Sequence, residues 1–544
     1  MISGLSDASA WWSEPGRAGM TGQAWFGTAF PQTIAGFSAG AWSADLSGRV
    51  ELGGPFPGVL GASPSLAAYD SIGFMPLAGA ASQGFQGTLA TAVAVPAEAF
   101  ERRTRGIVHF ASGSNGFDDN VLAIERGDSL NWTRAEVATG SHRAAGSLER
   151  SGHHLWQVAT QWARAAHRVQ AGFADRGSAM LVRGGEEESV RGASGYLHYR
   201  HIGGRRWWGV AAERGYDTHE SFGGLRFESR RDAQSSRGDL AGGWRGGRLE
   251  LATQIHAVES EVRRQSDDEF VTSARWAFGS ASIAMPLGPG RVEAALGAGR
   301  HGAFDVLEPA PSLSYRIERS HWSVRTAVER AMWAVWTDLE SGEAPFLQST
   351  WAGVIDARVR GPEHALRGFV IAGRSRDRAL VPRQPIEDLW LRDGFRLDPD
   401  PYIFGLGGLD GEWRHGRWDM RGEGFGLVRS ENPEAVAVDP QWGMRVEAGC
   451  RKSYFEGDLG VMLRAGVEAV GSRVTEGLEA RTLAAYVTGC AGLTATLADA
   501  VFAVRVRNLE NHIREETWLD TATFSEAVST GREFRIMVTV KLAN

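Results

Sequence analysis

Beyond residue 104 apolar and polar residues alternate with period two. The alternation is punctuated by ten short turns between about residue 127 and residue 498, mostly thirty to forty-five residues apart. Period two is the pattern of a half-buried strand, because successive side chains point to opposite faces. A strand of about 10 residues, a tight turn, a second strand and a longer loop add up to roughly 40 residues, the repeat of a transmembrane β-barrel built from hairpins.

Individual hairpins keep the pattern. Around Arg164 to Ala166, Trp156, Val158, Thr160 and Trp162 lead in and Val169, Ala171 and Phe173 lead out. Leu197 and Tyr199 precede a turn at Gly203-Gly204, and Trp208, Val210 and Ala212 follow it. At Gly246-Gly247 the apolar set is Leu240, Trp244, Leu249, Leu251, Thr253 and Ile255. Paired glycines suit a tight turn that needs positive φ. Similar units surround Arg126-Gly127-Asp128, Gly288-Pro289-Gly290, Arg319-Ser320-His321, Gly361-Pro362, His415-Gly416, the region near Ser453, and Leu497-Ala498-Asp499.

Ten hairpins give 20 strands, and Arg105 to Ser112 and Phe534 to Leu542 add one at each end. The chain therefore predicts an all-β transmembrane antiparallel barrel of about 22 strands, an even number, with both ends on the short-turn side. The longer polar stretches Gly184 to Arg191, Asp217 to Gln234, Arg263 to Glu269, Pro382 to Pro401 and Arg429 to Pro440 become outward loops. Arg, Glu, Gln and His fall on the face expected to line a wet lumen. Gly, Ala, branched residues and Trp fall on the face expected to meet lipid.

Composition fits the barrel, although a Gly-rich soluble β protein would share it. Of 544 residues, 70 are Gly and 20 are Trp, which suits tight turns and aromatic belts at two membrane interfaces. A net charge of −7 with interspersed signs gives no footprint for nucleic acid. No apolar run reaches the 18 residues of a helical span. Met1 to Trp12 lacks the basic start and apolar core of a secretory signal. Cys450 and Cys490 fall about two strands apart in the hairpin repeat, beyond disulfide reach.

The last forty residues carry a resemblance. Arg507-Asn508-Leu509-Glu510-Asn511, a loop, and then Gly531-Arg532-Glu533-Phe534-Arg535-Ile536 resemble the closing hairpin of TonB-dependent outer-membrane receptors. Phe534, Ile536, Val538, Val540 and Leu542 alternate with Arg535, Thr539 and Lys541 as the final strand; the chain ends Leu542-Ala543-Asn544 where such barrels usually end on an aromatic residue. The resemblance implies a 22-strand barrel, an N-terminal plug, ligand capture at the outward loops and plug apex, and a TonB-type energising partner on the periplasmic side.

Residues 1–104 are read as a short or truncated plug-like segment and 105–544 as the barrel. The first segment is Gly/Ala-rich with Trp11, Trp12, Trp25 and Trp42, and Leu46 to Asp70, including Gly53-Gly54-Pro55-Phe56-Pro57, is its plug remnant. A short plug and the missing signal point to an incomplete N-terminus, with a plug-poor barrel as the second choice. The function expected is uptake or passage of an unidentified small solute across the bacterial outer membrane, with the bilayer and its lipopolysaccharide as surroundings. The alternatives are a plug-less porin-type channel and a secreted soluble glycan-binding protein or enzyme.

No residue set selects catalysis, a cofactor or a metal. Gly113-Ser114-Asn115-Gly116 with Asp118-Asp119 resembles a loose phosphate or cation loop but lacks the strand-then-helix setting, so it is read as an outward loop. His153 and His154 are adjacent on a strand and point to opposite faces. Glu186-Glu187-Glu188 and Asp267-Asp268-Glu269 are read as solvated loop acids before calcium ligands. Trp207 and Trp208 are assigned to an interface belt.

Overall fold

The computed structural model describes residues 104–543 apart from 117, 128–129, 146–147, 183–185, 223–227, 266–269, 302–303, 336–345, 376–378, 383–394, 399–402, 430–441, 475–481, 512–514, 521–524 and 529–530. In the N-terminal region it describes the strand stretches 20–21, 33–34, 37–38, 42–46, 49–50, 69–77 and 90–96. The wall is one closed sheet of 22 antiparallel strands. In chain order these are β1 (Thr104–Gly113), β2 (Asp118–Gly127), β3 (Trp132–Ala145), β4 (Leu148–Arg164), β5 (His167–Val182), β6 (Glu186–Gly203) and β7 (Arg206–Phe222). Next come β8 (Glu228–Gly246), β9 (Leu249–Gln265), β10 (Phe270–Leu287), β11 (Gly290–His301), β12 (Phe304–Glu318), β13 (Trp322–Val335), β14 (Phe346–Arg360) and β15 (His364–Ser375). The last are β16 (Ile403–His415), β17 (Trp418–Arg429), β18 (Trp442–Tyr454), β19 (Leu459–Val470), β20 (Tyr486–Leu497), β21 (Ala500–Arg507) and β22 (Glu533–Ala543). β22 pairs with β1 from Arg535↔Gly113 to Ala543↔Arg105, which closes the sheet and sets both wall termini on the short-turn side.

Opposed residues share a face, so the register sorts the whole wall. Phe110, Leu122, Trp156, Phe173, Leu197, Trp208, Leu240, Ile255, Leu313, Leu409, Trp418 and Ile536 are exposed on the outside. Exposed Trp gathers at two heights: Trp162, Trp208, Trp322, Trp413 and Trp418 beside the short turns, and Trp156 and Trp351 farther up. Trp322 opposes Val359, and Trp351 lies eight residues above it on β14. Those eight residues span about 26 Å along a strand, and about 20 Å along the axis at the usual tilt, close to the apolar band of a barrel in a membrane.

Two expectations about local geometry change. Strands were expected at about 10 residues, but β8 has 19 and β6 has 18. The ladder uses only backbone groups, so it continues above the outer apolar belt where both faces are polar; Asp217, expected in a loop, opposes Ala233 across β7 and β8. The paired glycines are also not both in the turn. Only Gly204 (φ 57°) and Gly247 (φ 43°) have positive φ, and Arg205 and Arg248 complete the two-residue loops in the type II′ manner. The turn expected near Ser453 lies at Phe455–Gly457.

Ala165 (φ 51°) and Ala498 (φ 47°) hold the same turn position without being glycine. An L side chain there is disfavoured by about 1–2 kcal/mol, partly offset by the chain entropy Gly loses on folding. Ala165→Gly and Ala498→Gly are therefore each expected to stabilise the barrel by about 0.5–1 kcal/mol, read as a higher urea midpoint.

The segment carrying the family resemblance is a tied corner. Asn508 and Asn511 take positive φ, Glu510 accepts from Gly489 N at 2.9 Å, and Asn511 Oδ1 accepts from Arg532 N at 2.9 Å. The Arg532 guanidinium donates to Leu509 O at 2.6 Å. Together these hold β20, β21 and the start of β22 at the outward rim.

In the N-terminal region, Arg49–Val50, Trp42–Leu46, Ala90–Pro96 and Tyr69–Pro76 form a four-stranded sheet in that order, with a parallel central pair. Leu77 is fully buried, and its carbonyl accepts from the guanidinium of Arg325 on β13. The proposed Gly53-Gly54-Pro55-Phe56-Pro57 remnant lies outside the described residues.

Candidate functional site

The lumen face is built from the alternate positions that the outward belt leaves over. Its charged residues are tied both along strands, as Arg445 to Glu447 at 2.5 Å, and across them. Arg464 on β19 donates twice to Asp419 on β17 (3.1 and 3.0 Å), and Arg414 and Arg421 each approach the same carboxylate at 4.0 Å. Arg507 on β21 grips Glu468 on β19 at 3.1 and 2.9 Å, and Arg367 on β15 grips Asp356 on β14 at 3.1 and 2.9 Å. Paired N–H···O contacts of this kind fix both orientation and charge.

Elsewhere on the lumen face the groups are more mixed. Arg237 Nε donates to Asp239 at 2.8 Å, and His256 Nδ1 lies 2.5 Å from the same carboxylate. His109 Nδ1 sits 2.7 Å from Thr539 Oγ1 across the closing seam, with Asp119 4.0 Å away. Arg134 and Gln157 both donate to Glu136 at 3.0 Å. Two apolar patches interrupt this polar wall: Val121, Ala138 and Leu155, and separately Val354, Phe369, Ile371, Phe404, Leu406, Phe425 and Leu427. Ser280, Ser282, Ser312 and Ser314 lie on the same face by the register of β9 to β13, with Ser312 donating to Glu329 at 3.5 Å and Ser314 opposite Glu293.

Burial is what distinguishes this face. His109 is 2% exposed, Glu136 1% and Glu329 and Thr350 0%, values of a packed interior. Among the described residues no three His, Cys, Asp or Glu side chains are grouped as a metal-ligand set.

The residues singled out in the sequence scatter. Asp118 and Asp119 sit on opposite faces of β2, with Ser141 bonding Asp118 and His109 facing Asp119, so the apparent loop acids do not converge; Ser114–Gly116 forms a short 3-10 turn. His154 faces outward, 3.5 Å from Asp175, and the His153 side chain lies outside the described residues. Glu186 to Glu188 begin β6 instead of lying in a loop, their side chains undescribed, and Asp267 to Glu269 lie outside the described residues.

Trp208 belongs to the outer belt, its ring 5.0 Å from Tyr199. Trp207 does not: one residue along a strand reverses the face, and it lies on the lumen side beneath the Arg200 guanidinium at 4.8 Å. Cys450 and Cys490 are both free and two strands apart. Cys450 opposes outward-facing Leu463, whereas Cys490 opposes Gly466 on the lumen face, 3.8 Å from Glu447.

Comparison of the sequence with family models and with curated proteins finds no match. Solved structures do match. The copper transporter OprC superposes with TM-score 0.80 at 14% identity, and the siderophore receptor PirA of Acinetobacter baumannii with 0.77 at 10%. The ferric yersiniabactin uptake receptor FyuA of Yersinia pestis gives 0.75 at 12%. Each alignment covers 99% of this chain and 96% of the other. At such identities the likeness is one of fold.

Proposed function

We infer that this chain, which has the barrel fold of TonB-dependent outer-membrane receptors, is an outer-membrane transport protein of the receptor type whose lumen is closed by its own N-terminal residues. The observation that carries the reading is the burial of the lumen face. A barrel of 22 strands is wide enough that an empty lumen would wet its lining, yet His109, Glu136, Glu329 and Thr350 are shielded. The bond from Arg325 to Leu77 supports residues before 104 as the filling. A porin-type channel has no use for apolar residues such as Ile371 and Leu406 on a wet wall; a plug does.

The solute is proposed to be a small metal ion or chelate, the cargo class named for OprC, PirA and FyuA. Its transport is proposed to draw on a TonB-type energising protein at the short-turn side, with lipid and lipopolysaccharide around the outer belt. Reception and passage, rather than catalysis, use the wall described above.

Conductance across a planar bilayer tests the plug. The full chain is expected to stay closed, and a variant lacking residues 1–103 to conduct in large steps. Equal conductance in both would sink the plugged reading. A further expectation is that deleting the energising protein abolishes metal-chelate uptake as completely as deleting this chain.

A further inference from the structure

The wall is unzipped at one place. Between β12 and β13 the ladder runs from Glu318↔Ser323 only to Ser312↔Glu329, although both strands continue, β12 pairing with β11 and β13 with β14. Among the described residues no other neighbouring pair stops with more than one residue left on both strands. The turn bond Arg319 N→Trp322 O fixes the parity: odd-numbered β12 residues direct their N–H toward β13. Continuing that register, the next two donors would be Pro311 and Pro309, and proline has none.

The gap redirects side chains. Arg330 and Met332 follow Val328 at outward positions, yet both are withdrawn from the surface. Arg330 turns into the gap, where it meets Glu308 at 2.7 Å and donates to Pro309 O at 2.9 Å and to Ser349 Oγ, opposite Met332 on β14, at 3.4 Å. Met332 is fully buried with Phe278 and Ala310, both lumen-facing, and Trp276 packs against them. On the outside, exposed Leu313 lies below the gap and Leu307, 69% exposed, along its unpaired edge, while Trp351 of the upper belt opposes Arg330. An apolar surface thus runs from the lipid belt, through a slot without backbone bonds, to an apolar cluster inside.

We propose that this seam is a side entrance for an acyl chain of a lipid in the outward leaflet, which takes the place of Met332 against Phe278 when the Arg330 latch swings away from Glu308. The proposal rests on the membrane-barrel reading. The occupant is a lipid tail because the slot opens at the height of the upper tryptophans and is continuous with the lipid-facing surface on both sides.

The test uses the full chain folded in palmitoyl-oleoyl phosphatidylcholine vesicles, with the photoreactive residue p-benzoylphenylalanine at position 278, at lumen-facing position 537 as background, or at lipid-facing position 296 as reference. Mass spectrometry is expected to find lipid adducts at 278 well above those at 537. Restoring both donors with Pro309→Val and Pro311→Val is expected to cut the 278 adduct by about tenfold, as two net hydrogen bonds would. Arg330→Gln is expected to raise it, which keeps the question answerable if the double variant folds poorly.

Adduct at 278 no greater than at 537, or unchanged by Arg330→Gln and by the zipped variant while 296 is labelled, overturns the entrance. Failure to label 296 removes the membrane reading itself, and the entrance with it.

Discussion

Asp419→Ala is expected to lower the barrel's unfolding free energy by about 3–5 kcal/mol, the cost of removing one partner from a buried ion pair. Asp419 is 4% exposed and takes both hydrogen bonds of the Arg464 fork, with Arg414 and Arg421 within 4.0 Å of it. Its removal leaves the Arg464 fork without its acceptor and raises the repulsion among three guanidinium groups, of which Arg414 and Arg421 still have Glu412 at 3.0 and 3.9 Å. Asp419→Asn keeps the shape and two lone pairs but not the charge, so an intermediate loss is expected. Urea unfolding of the protein in lipid vesicles measures both. A cycle with Arg464→Ala then separates the pair from the rest: the double variant is expected to be less destabilised than the sum of the singles. Additive losses would mean that Asp419 acts on the wall by some route other than Arg464.

The second large effect concerns the opposite face. Leu409 on β16 is 58% exposed on the outer surface at mid-belt, several residues from the lower tryptophans Trp413 and Trp418. Leu409→Arg is expected to cost about 2–4 kcal/mol in a bilayer, because a guanidinium must then be dragged to the interface or leave water behind. Leu409→Ala removes apolar contact without adding charge and is expected to cost less. If Arg and Ala at this position unfold at the same urea concentration in vesicles, the outer face is not in hydrocarbon.

What the sequence reveals and what it hides divide along a physical line. Alternation and turn residues are local, so the number of wall strands, the first at Thr104–Gly113 and the last at Glu533–Ala543, is legible from the chain. Strand length is not, because above the outer apolar belt the ladder no longer requires an apolar face, and polar Asp217 to Gln234 reads as a loop while the backbone of 217–222 and 228–234 pairs. Ion-pair partners are hidden for another reason. Glu468 and Arg507 are 39 residues apart and lie on strands separated by β20, so their meeting depends on the stagger of three strands, which no local pattern encodes.

Trp207 shows a finer limit. Two adjacent tryptophans beside a turn look like one belt feature until the register assigns opposite faces. The lumen set that includes His109, Asp239 and His256 could have been found by marking every second residue opposite the outward belt, although not which members would meet. Pro309 and Pro311 were visible throughout. Their meaning depended on the turn at Arg319, which determines which neighbour the missing donors would have served.

The contact between His109 and Thr539 joins residues 430 positions apart across the pair that closes the sheet. Only the two pairings of β22 must wait for its own residues, and of these the one with β1 also joins the two ends of the wall. Until then β1 offers an unpaired edge, with its backbone groups open to any strand that drifts past. Folding is therefore a race between ring closure over nearly the whole chain and pairing with another molecule, and a nascent barrel needs an escort holding that first edge until its own last strand arrives.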